Sequence, residues 1–453
     1  MDPIAWDAMA DNDDDAEREA DVEARVRKKR RREDDSGSGS SADERDGDSS
    51  DESEDEEELA FTACAEGDLD LLKQMHEAGA LDPNRADAEE DVSLLGVACR
   101  FGHLAVAQWL VSIGASTEHT NEQGETPLHE CAAKGAEPVV EWLLGQPGVK
   151  VDAKAANGLT ALGVACLQGS TALVGALAGA GAALDASDAE GHTPMHLACA
   201  NGRAELAAWL HAKGARVDAR DAAGAAPIHL ACGQGELATA EWLAGAGAAV
   251  DEPDARGCTP LHYACAAGDA RVGAWLLGEG ARAAAVNADG NTPLHHAAQG
   301  GSPALVEALL GAGASAGPRN GDGDTPLLLS CFGGHVDVCE ALARRGEPVD
   351  IANADGCTGL IQASAGGHVA VAEWLLERAP ALLDVADNAG DTPLVHACRA
   401  GHDGLAHALL GLGAQGAEAA ALAAEEASHR KLAKKVRKAG QRHVASAAPA
   451  AHD

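Results

Sequence analysis

Two short apolar runs and a polar turn recur in a fixed order from residue 59 to residue 416. In one copy, Pro194-Met195-His196-Leu197 opens the first run, Ala198-Cys199 continues it and Gly202 stops it. The second run, Leu206 to Leu210, ends at Gly214-Ala215. Val217-Asp218 then reads as a short extended piece and Asp221-Ala222-Ala223-Gly224 as a turn. The pattern predicts two short helices and a projecting turn per copy, repeated along the chain.

The copies are in register. Thr126-Pro127-Leu128-His129 returns as Thr193-Pro194-Met195-His196, Thr259-Pro260-Leu261-His262 and Thr292-Pro293-Leu294-His295. Weaker copies stand at Ala226-Pro227-Ile228-His229, Thr325-Pro326-Leu327-Leu328 and Thr392-Pro393-Leu394-Val395, and degenerate ones begin at Ser93, Thr160 and Thr358. The steps from Ser93 are 33, 34, 33, 33, 33, 33, 33, 33 and 34 residues. A partial copy marked by Phe61 and Ala63-Cys64-Ala65 precedes them, which makes about eleven units. The Thr is placed to cap a helix N-terminus with its hydroxyl. The Pro follows where its missing N–H costs nothing, and Gly ends the helix.

This string and its period resemble the ankyrin repeat, with its TPLHxA signature, over residues 59–416. The resemblance implies an all-α repeat fold, a solenoid of helix–turn–helix units with β-hairpin fingers. It also implies binding by fingertips and by the concave face of the first helices. Eleven layers at about 8–10 Å each predict a curved rod near ~100 Å long. One position departs from the family. Eight residues before the Thr, where Asn is common, this chain has Asp152, Asp185, Asp218, Asp251, Asp350 and Asp384. Asn hydroxylation therefore does not transfer.

Composition supports thin, closely spaced helices over a large globular core, since only 2% of residues are aromatic while Gly alone numbers 53. Net charge is −38. Residues 1–58 hold 24 acidic and 9 basic residues, and residues 417–453 hold 4 and 7, leaving −26 on the repeats. Such a body repels phosphate backbones, so no nucleic acid is expected on it. The uncharged stretch Ala155 to Leu184 is long enough to raise a membrane span, but Asn157-Gly158 and Gln168-Gly169-Ser170-Thr171 interrupt it and it keeps the repeat register. No membrane association is expected. The acidic start lacks the apolar core of a secretory signal, so the twelve cysteines are expected reduced, in a cytoplasmic and/or nuclear setting.

The repeated special residues read as structural. Cys64, Cys99, Cys166, Cys199, Cys232, Cys265, Cys331 and Cys398 share the slot six residues after the Thr position. One helix layer separates equivalent slots, about 8–10 Å, which is beyond the reach of a disulfide. Cys258 and Cys357 lie on the finger side and are expected to be the more exposed thiols. Trp109, Trp142, Trp209, Trp242, Trp275 and Trp374 share a slot on the second helix and read as packing residues. The signature histidines His129, His196, His229, His262 and His295 are spread along an array and do not converge, so no metal is expected. No phosphate loop, nucleophile elbow or carboxylate pair stands out; neither enzyme activity nor a cofactor is expected.

Candidates for partner contact are the varied residues at the end of the first helix: Arg100, Phe101, Lys134, Gln168, Asn201, Gln234, Gln299, Phe332 and Arg399. Residues 1–58 have the composition of a disordered acidic arm. The arm carries Arg27, Lys28, Lys29, Arg30, Arg31 and Arg32, which resemble a nuclear localisation signal. Ser49, Ser50 and Ser53 precede acidic runs and resemble acidophilic-kinase sites. Residues 417–453 read as a basic, Ala-rich helical tail that closes the last repeat or serves as a second basic address. The function expected is that of a monomeric scaffold or adaptor for a protein partner. The alternative is an acidic-arm chaperone or regulator of basic proteins such as histones.

Overall fold

The computed structural model describes residues 49–447 except residue 89. The basic block at Arg27–Arg32 lies outside the described residues. Among them are 24 α-helices and one 3-10 turn, Pro380–Asp384, and no strand. The chain divides into two compact units. One comprises residues up to 198 together with 205–216, and the other 199–204 together with 217 onward.

In the first unit, helix pairs Ser49–Glu66 with Leu69–Glu77, Leu94–Arg100 with Leu104–Ser112, Pro127–Lys134 with Glu137–Leu144, and Ala161–Gln168 with Thr171–Gly179 follow one another. Each first helix packs on the first helix of the next pair and on its own second helix. The second unit repeats the arrangement from Pro227–Gly233 with Leu237–Gly245 through Pro393–Arg399 with Asp403–Gly411. The layers rest on small and aliphatic side chains, among them Leu261, Ala264, Cys265, Val272 and Leu276, all fully buried. Short helices of this kind gain their stability from such packing and not from length.

Local sequence sets the ends of each helix. Thr259 precedes Pro260 in extended backbone (φ −88°, ψ 165°), and Gly268 ends the helix at φ +74° in the left-handed region that favours glycine. Asp269 then caps the second helix, its carboxylate accepting from the Arg271 and Val272 amides at 2.8 and 3.1 Å.

The structure departs from the sequence reading at the fingers and adds detail at the two ends. The fingers are not β-hairpins: only isolated bridges, Ala86 with Ser93 and Ala352 with Thr358, occur among the described residues. The first described helix begins at Ser49, within the stretch whose composition suits a disordered arm. A twelfth pair, Ala417–Glu426 with Arg430–Ala447, packs on the helices Pro393–Arg399 and Asp403–Gly411. This pair has no Thr-Pro signature and no finger; Gly416, at φ +78°, starts its first helix directly after the preceding unit. Ala420, Ala421, Ala424, Leu432 and Val436 are its buried face. Arg437 bridges its two helices, donating to Glu418 at 2.9 Å and Glu425 at 3.0 Å.

Candidate protein-interaction surface

The fingers owe their shape to one residue, five positions before the Thr, that the turn pattern alone does not single out. Oδ1 of Asp254 accepts from the amides of Arg256 and Cys258, both at 2.8 Å. Asn287, Asn320, Asn353 and Asp387 make the same pair of bonds in the following fingers. A backbone bond then joins each finger to the next: Ala288 to Arg256 at 2.7 Å, Gly321 to Asp289 at 2.8 Å, Ala354 to Asp322 at 3.0 Å and Asn388 to Asp355 at 2.9 Å. The fingers thus form a row tied by single amide bonds, where an expected hairpin would close on itself. The close approach leaves no room for a side chain at Gly290, where a Cβ would stand 2.8 Å from the Gly321 nitrogen.

The aspartates eight positions before the Thr also bind forward. Asp152 accepts from the Ala183 amide at 2.9 Å, Asp251 from Arg282 at 3.1 Å and Asp384 from Gln415 at 2.8 Å. The carboxylate oxygen supplies the acceptor, so Asp serves this position without an amide group.

The signature histidines work in the same way. Nε2 of His129, His262 and His295 donates to the carbonyls of Leu159, Asn291 and Asp324 at 3.1–3.2 Å. Nδ1 is then the acceptor, taking the amide and hydroxyl of the capping Thr, as at Thr259 (3.1 and 3.0 Å). Burial depresses their basicity. It pushes His262 down to about 4, against the opposing hydrogen bond to Asn291, and His129 and His295 shift in the same direction for the same cause. His129, His262 and His295 are thus neutral couplers between layers, whereas Nε2 of the buried His229 has no hydrogen-bond partner.

The eight slot cysteines are buried, as are Cys131 and Cys339. Cys331 and Cys339, on the two helices of one unit, meet at 3.8 Å between sulfurs. Cys258 and Cys357 are half-buried. Burial first, and then neighbouring carboxylates, raise both thiols. They are more accessible than the core thiols, as their place in the sequence suggested, yet poorly ionised. Of the six tryptophans on the second helices, all but the buried Trp374 are half-buried. Two of them support basic side chains, with Arg378 at 4.5 Å from the Trp374 ring centroid and Lys213 at 5.4 Å from that of Trp209.

One group of metal-ligand type exists among the described residues, Asp387, Asp391 and His396. Its bonds are already made. His396 Nε2 stands 2.8 Å from Asp387 Oδ2, and Arg399 lies 2.7 Å from Asp391. A guanidinium at that distance disfavours a cation. The cluster joins a hydrogen bond, His396 to Asp387, and an ion pair, Arg399 with Asp391.

The first-helix residues expected to meet a partner fall into both compact units. Arg100 is held between Glu130 (2.9 Å) and Glu90 (3.2 Å) with its side chain only 15% exposed. Burial disfavours its charge, and the hydrogen bond and field of Glu130, helped by Glu90, outweigh that loss. Its charge is met within the fold. Phe101 is half-buried, and Arg399 is engaged by Asp391. Lys134, Gln168, Asn201, Gln234, Gln299 and Phe332 are exposed. Ser49, Ser50 and Ser53 belong by backbone to the helix Ser49–Glu66.

Sequence reasoning overlooked a second row, four residues after the Thr: Glu130, Val164, Tyr263, His296, Leu329 and Gln362. It lies one helical turn before the selected row and on the same face. The 3.6-residue period was the available signal. Tyr263 belongs to this row, its hydroxyl donating to Asp254 at 2.9 Å.

The profile of the family described as "Ankyrin repeats (3 copies)" matches residues 60–155, 147–221, 204–282, 228–320, 272–353, 297–384 and 345–421. A relative from Mus musculus, "Ankyrin repeat domain-containing protein 63", is 35% identical over 94 residues, 20% of this chain and 24% of that protein. The aligned region thus spans about a quarter of that relative's length. The crystal structure of the human ASB11 ankyrin repeat domain is 30% identical and aligns with a TM-score of 0.43, covering 49% of this chain and 99% of that one. No described helix is long and apolar enough to cross a membrane. With the family profile matched from residue 60 to residue 421, the chain belongs to the ankyrin-repeat family, whose repeats are protein-interaction modules.

Proposed function

We propose that this chain recruits a protein partner onto the exposed first-helix faces and fingertips of its repeats, and that it does so in the nucleus. One observation carries the first part. The residues that recur along the array are used within the fold: His129, His262 and His295 and the aspartates Asp152, Asp251 and Asp384 bond to the next unit, and the slot cysteines fill the core. The side chains that differ from unit to unit stand exposed on the first helix, as Gln234, Gln299 and Phe332 do. Recognition needs such variation, and exposed aromatics are the stronger anchors within it.

The test is affinity capture from cell extract with the full chain and with Gln234, Gln299 and Phe332 changed together to Ser. The expected result is loss of the partner at unchanged melting temperature. Equal recovery by both chains would contradict the reading.

The nuclear destination rests on the basic block Arg27–Arg32, six cations within an acidic stretch. Import receptors read such clusters by charge. Phosphate at Ser49, Ser50 or Ser53 would add about −1.5 to −2 charges each and mask the block. Replacing Lys28, Lys29, Arg30 and Arg31 with Ala should abolish nuclear signal of a tagged chain. Signal lost only on changing Lys431, Lys434, Lys435 and Lys438 would move the address to the C-terminal helix.

A further inference from the structure

The unit that begins at Thr325 differs from its neighbours in two ways at once. Phe332 is 45% exposed and is the one aromatic among the exposed large apolar side chains of the described residues. The same slot holds Gln299 in the preceding unit and Ala365 in the following one. The ring therefore stands between a polar and a small neighbour, with Leu329 half-buried one turn before it.

At the finger end of the same face, Asp322 and Asp355 occupy the fingertip slot of successive units, three residues before Thr325 and Thr358. The bond from the Ala354 amide to the Asp322 carbonyl, 3.0 Å, fixes these two fingertips side by side. Both carboxylates are exposed and without an ion-pair partner. Asp289, in the same slot one unit earlier, is by contrast met by Arg256 at 3.1 Å. The nearby cation Arg319 is turned to the carbonyls of Gly323 and Ala352, at 2.7 and 2.8 Å. Asp324 lies just below the tips and accepts from Asn353 at 2.9 Å. Burial raises its carboxyl, the Asn353 bond opposes this, and the fields of Asp322 and Asp355 add to the rise. The tips are thus an uncompensated negative site.

We propose that the face made by helices Pro293–Gln299, Pro326–Gly333 and Gly359–Gly366, with the fingertips of Asp322 and Asp355, docks an extended basic segment of a partner protein. An apolar side chain of that segment rests on Phe332, and lysine or arginine side chains reach Asp322 and Asp355. This names the partner chemistry for the scaffold reading above and rests on it. From Pro326 to Phe332 the helix rises about 9 Å, a span that about three to five residues of extended chain cover. Charge selects the occupant: residues 217–416 hold 24 acidic and 9 basic residues, so a basic segment is drawn in and an acidic or phosphorylated one is repelled.

The test is fluorescence anisotropy of the full chain with synthetic peptides about ten residues long, enough to span the face. One peptide carries a central leucine flanked by lysines and arginines. Its controls replace the leucine with serine, or the basic residues with glutamate. The expected order is binding by the first peptide, weaker binding without leucine and none with glutamate. Phe332→Ser should weaken the first peptide about tenfold with an unchanged salt dependence. Asp322→Asn with Asp355→Asn should weaken it about tenfold and flatten the salt dependence. All these side chains are exposed, so melting temperature should stay that of the parent. Equal binding of the glutamate peptide, or parental affinity in either variant, would overturn the proposal. If the parent chain still captures a protein through other repeats in that event, the scaffold reading survives and only this surface is lost.

Discussion

His262 and His295 couple two layers because each ring donates at Nε2 and accepts at Nδ1. A second proton would set a donor at Nδ1 against the Thr amide and destroy the cap. The folded state therefore resists protonation, and burial pushes His262 down to about 4. A base with a depressed folded value contributes stability above its unfolded value, about 6.5. That contribution falls as pH drops from there toward about 4, by an amount on the order of 3 kcal/mol for His262. Urea unfolding measured from pH 8 down to pH 4 should show the loss, and His262→Gln should reduce its slope. A flat profile would refute the tautomer assignment. At the same scale, Cys258 and Cys357 should react with a maleimide several-fold more slowly than a free thiol at pH 7, since burial and the nearby carboxylates hold both protonated. Rapid labelling of the native chain at either position would contradict this.

At the level of the element, the Thr-Pro-Leu-His string made the helix starts legible because its residues act locally, by capping and by fixed φ. Of the ten copies from Ser93 to Thr392, one lacks the cap hydroxyl. Ala226 has the same backbone as the threonines (φ −96°, ψ 164°), and its amide still donates to His229 Nδ1 at 3.1 Å. Ala226→Thr should therefore stabilise the chain by about 1 kcal/mol, read as a higher denaturant midpoint. No gain would mean the hydroxyl is idle in this family of caps. The fingers were less legible. The resemblance to ankyrin repeats implied hairpins, but the Asp or Asn five residues before the Thr holds the turn by its side chain, and the amides then pair with the next finger. That choice depends on how close the fingers stand, which spacing along one unit does not reveal. Two glycines separate the effects. Gly247 and Gly290 both have left-handed φ, +98° and +79°. A Cβ at Gly247 meets nothing within 4 Å, and one at Gly290 meets the next finger. Gly247→Ala should cost about 1–2 kcal/mol from backbone strain alone, and Gly290→Ala clearly more.

Across the whole molecule, the period of 33 marks the repeats, and the composition of residues 417–453 marks a helical tail, but without a signature its division into two helices was not legible. Ala417–Glu426 and Arg430–Ala447 carry neither the Thr-Pro string nor a finger. Their apolar face covers Pro393–Arg399 and Asp403–Gly411, and their charged face is exposed. Terminal units with a polar outer face are what stacked repeats require. Ending the chain at Gln415 should lower the melting temperature and raise dye binding while most helical signal remains, since coupling in an array is between neighbours. Loss of all helical signal would contradict that. The candidate surface was legible only in part. Phe332 and Gln299 stood out as variable, whereas Arg100 looked free and is engaged by Glu90 and Glu130, one of them 30 residues distant along the chain. The division of labour between the acidic arm and the repeats is what most needs measurement. Affinity capture with the full chain and with a chain lacking residues 1–58 addresses it directly. Recognition by the repeats predicts the same partner from both chains. A partner held by the full chain and lost with the arm would contradict the account and give the binding to the charged segment.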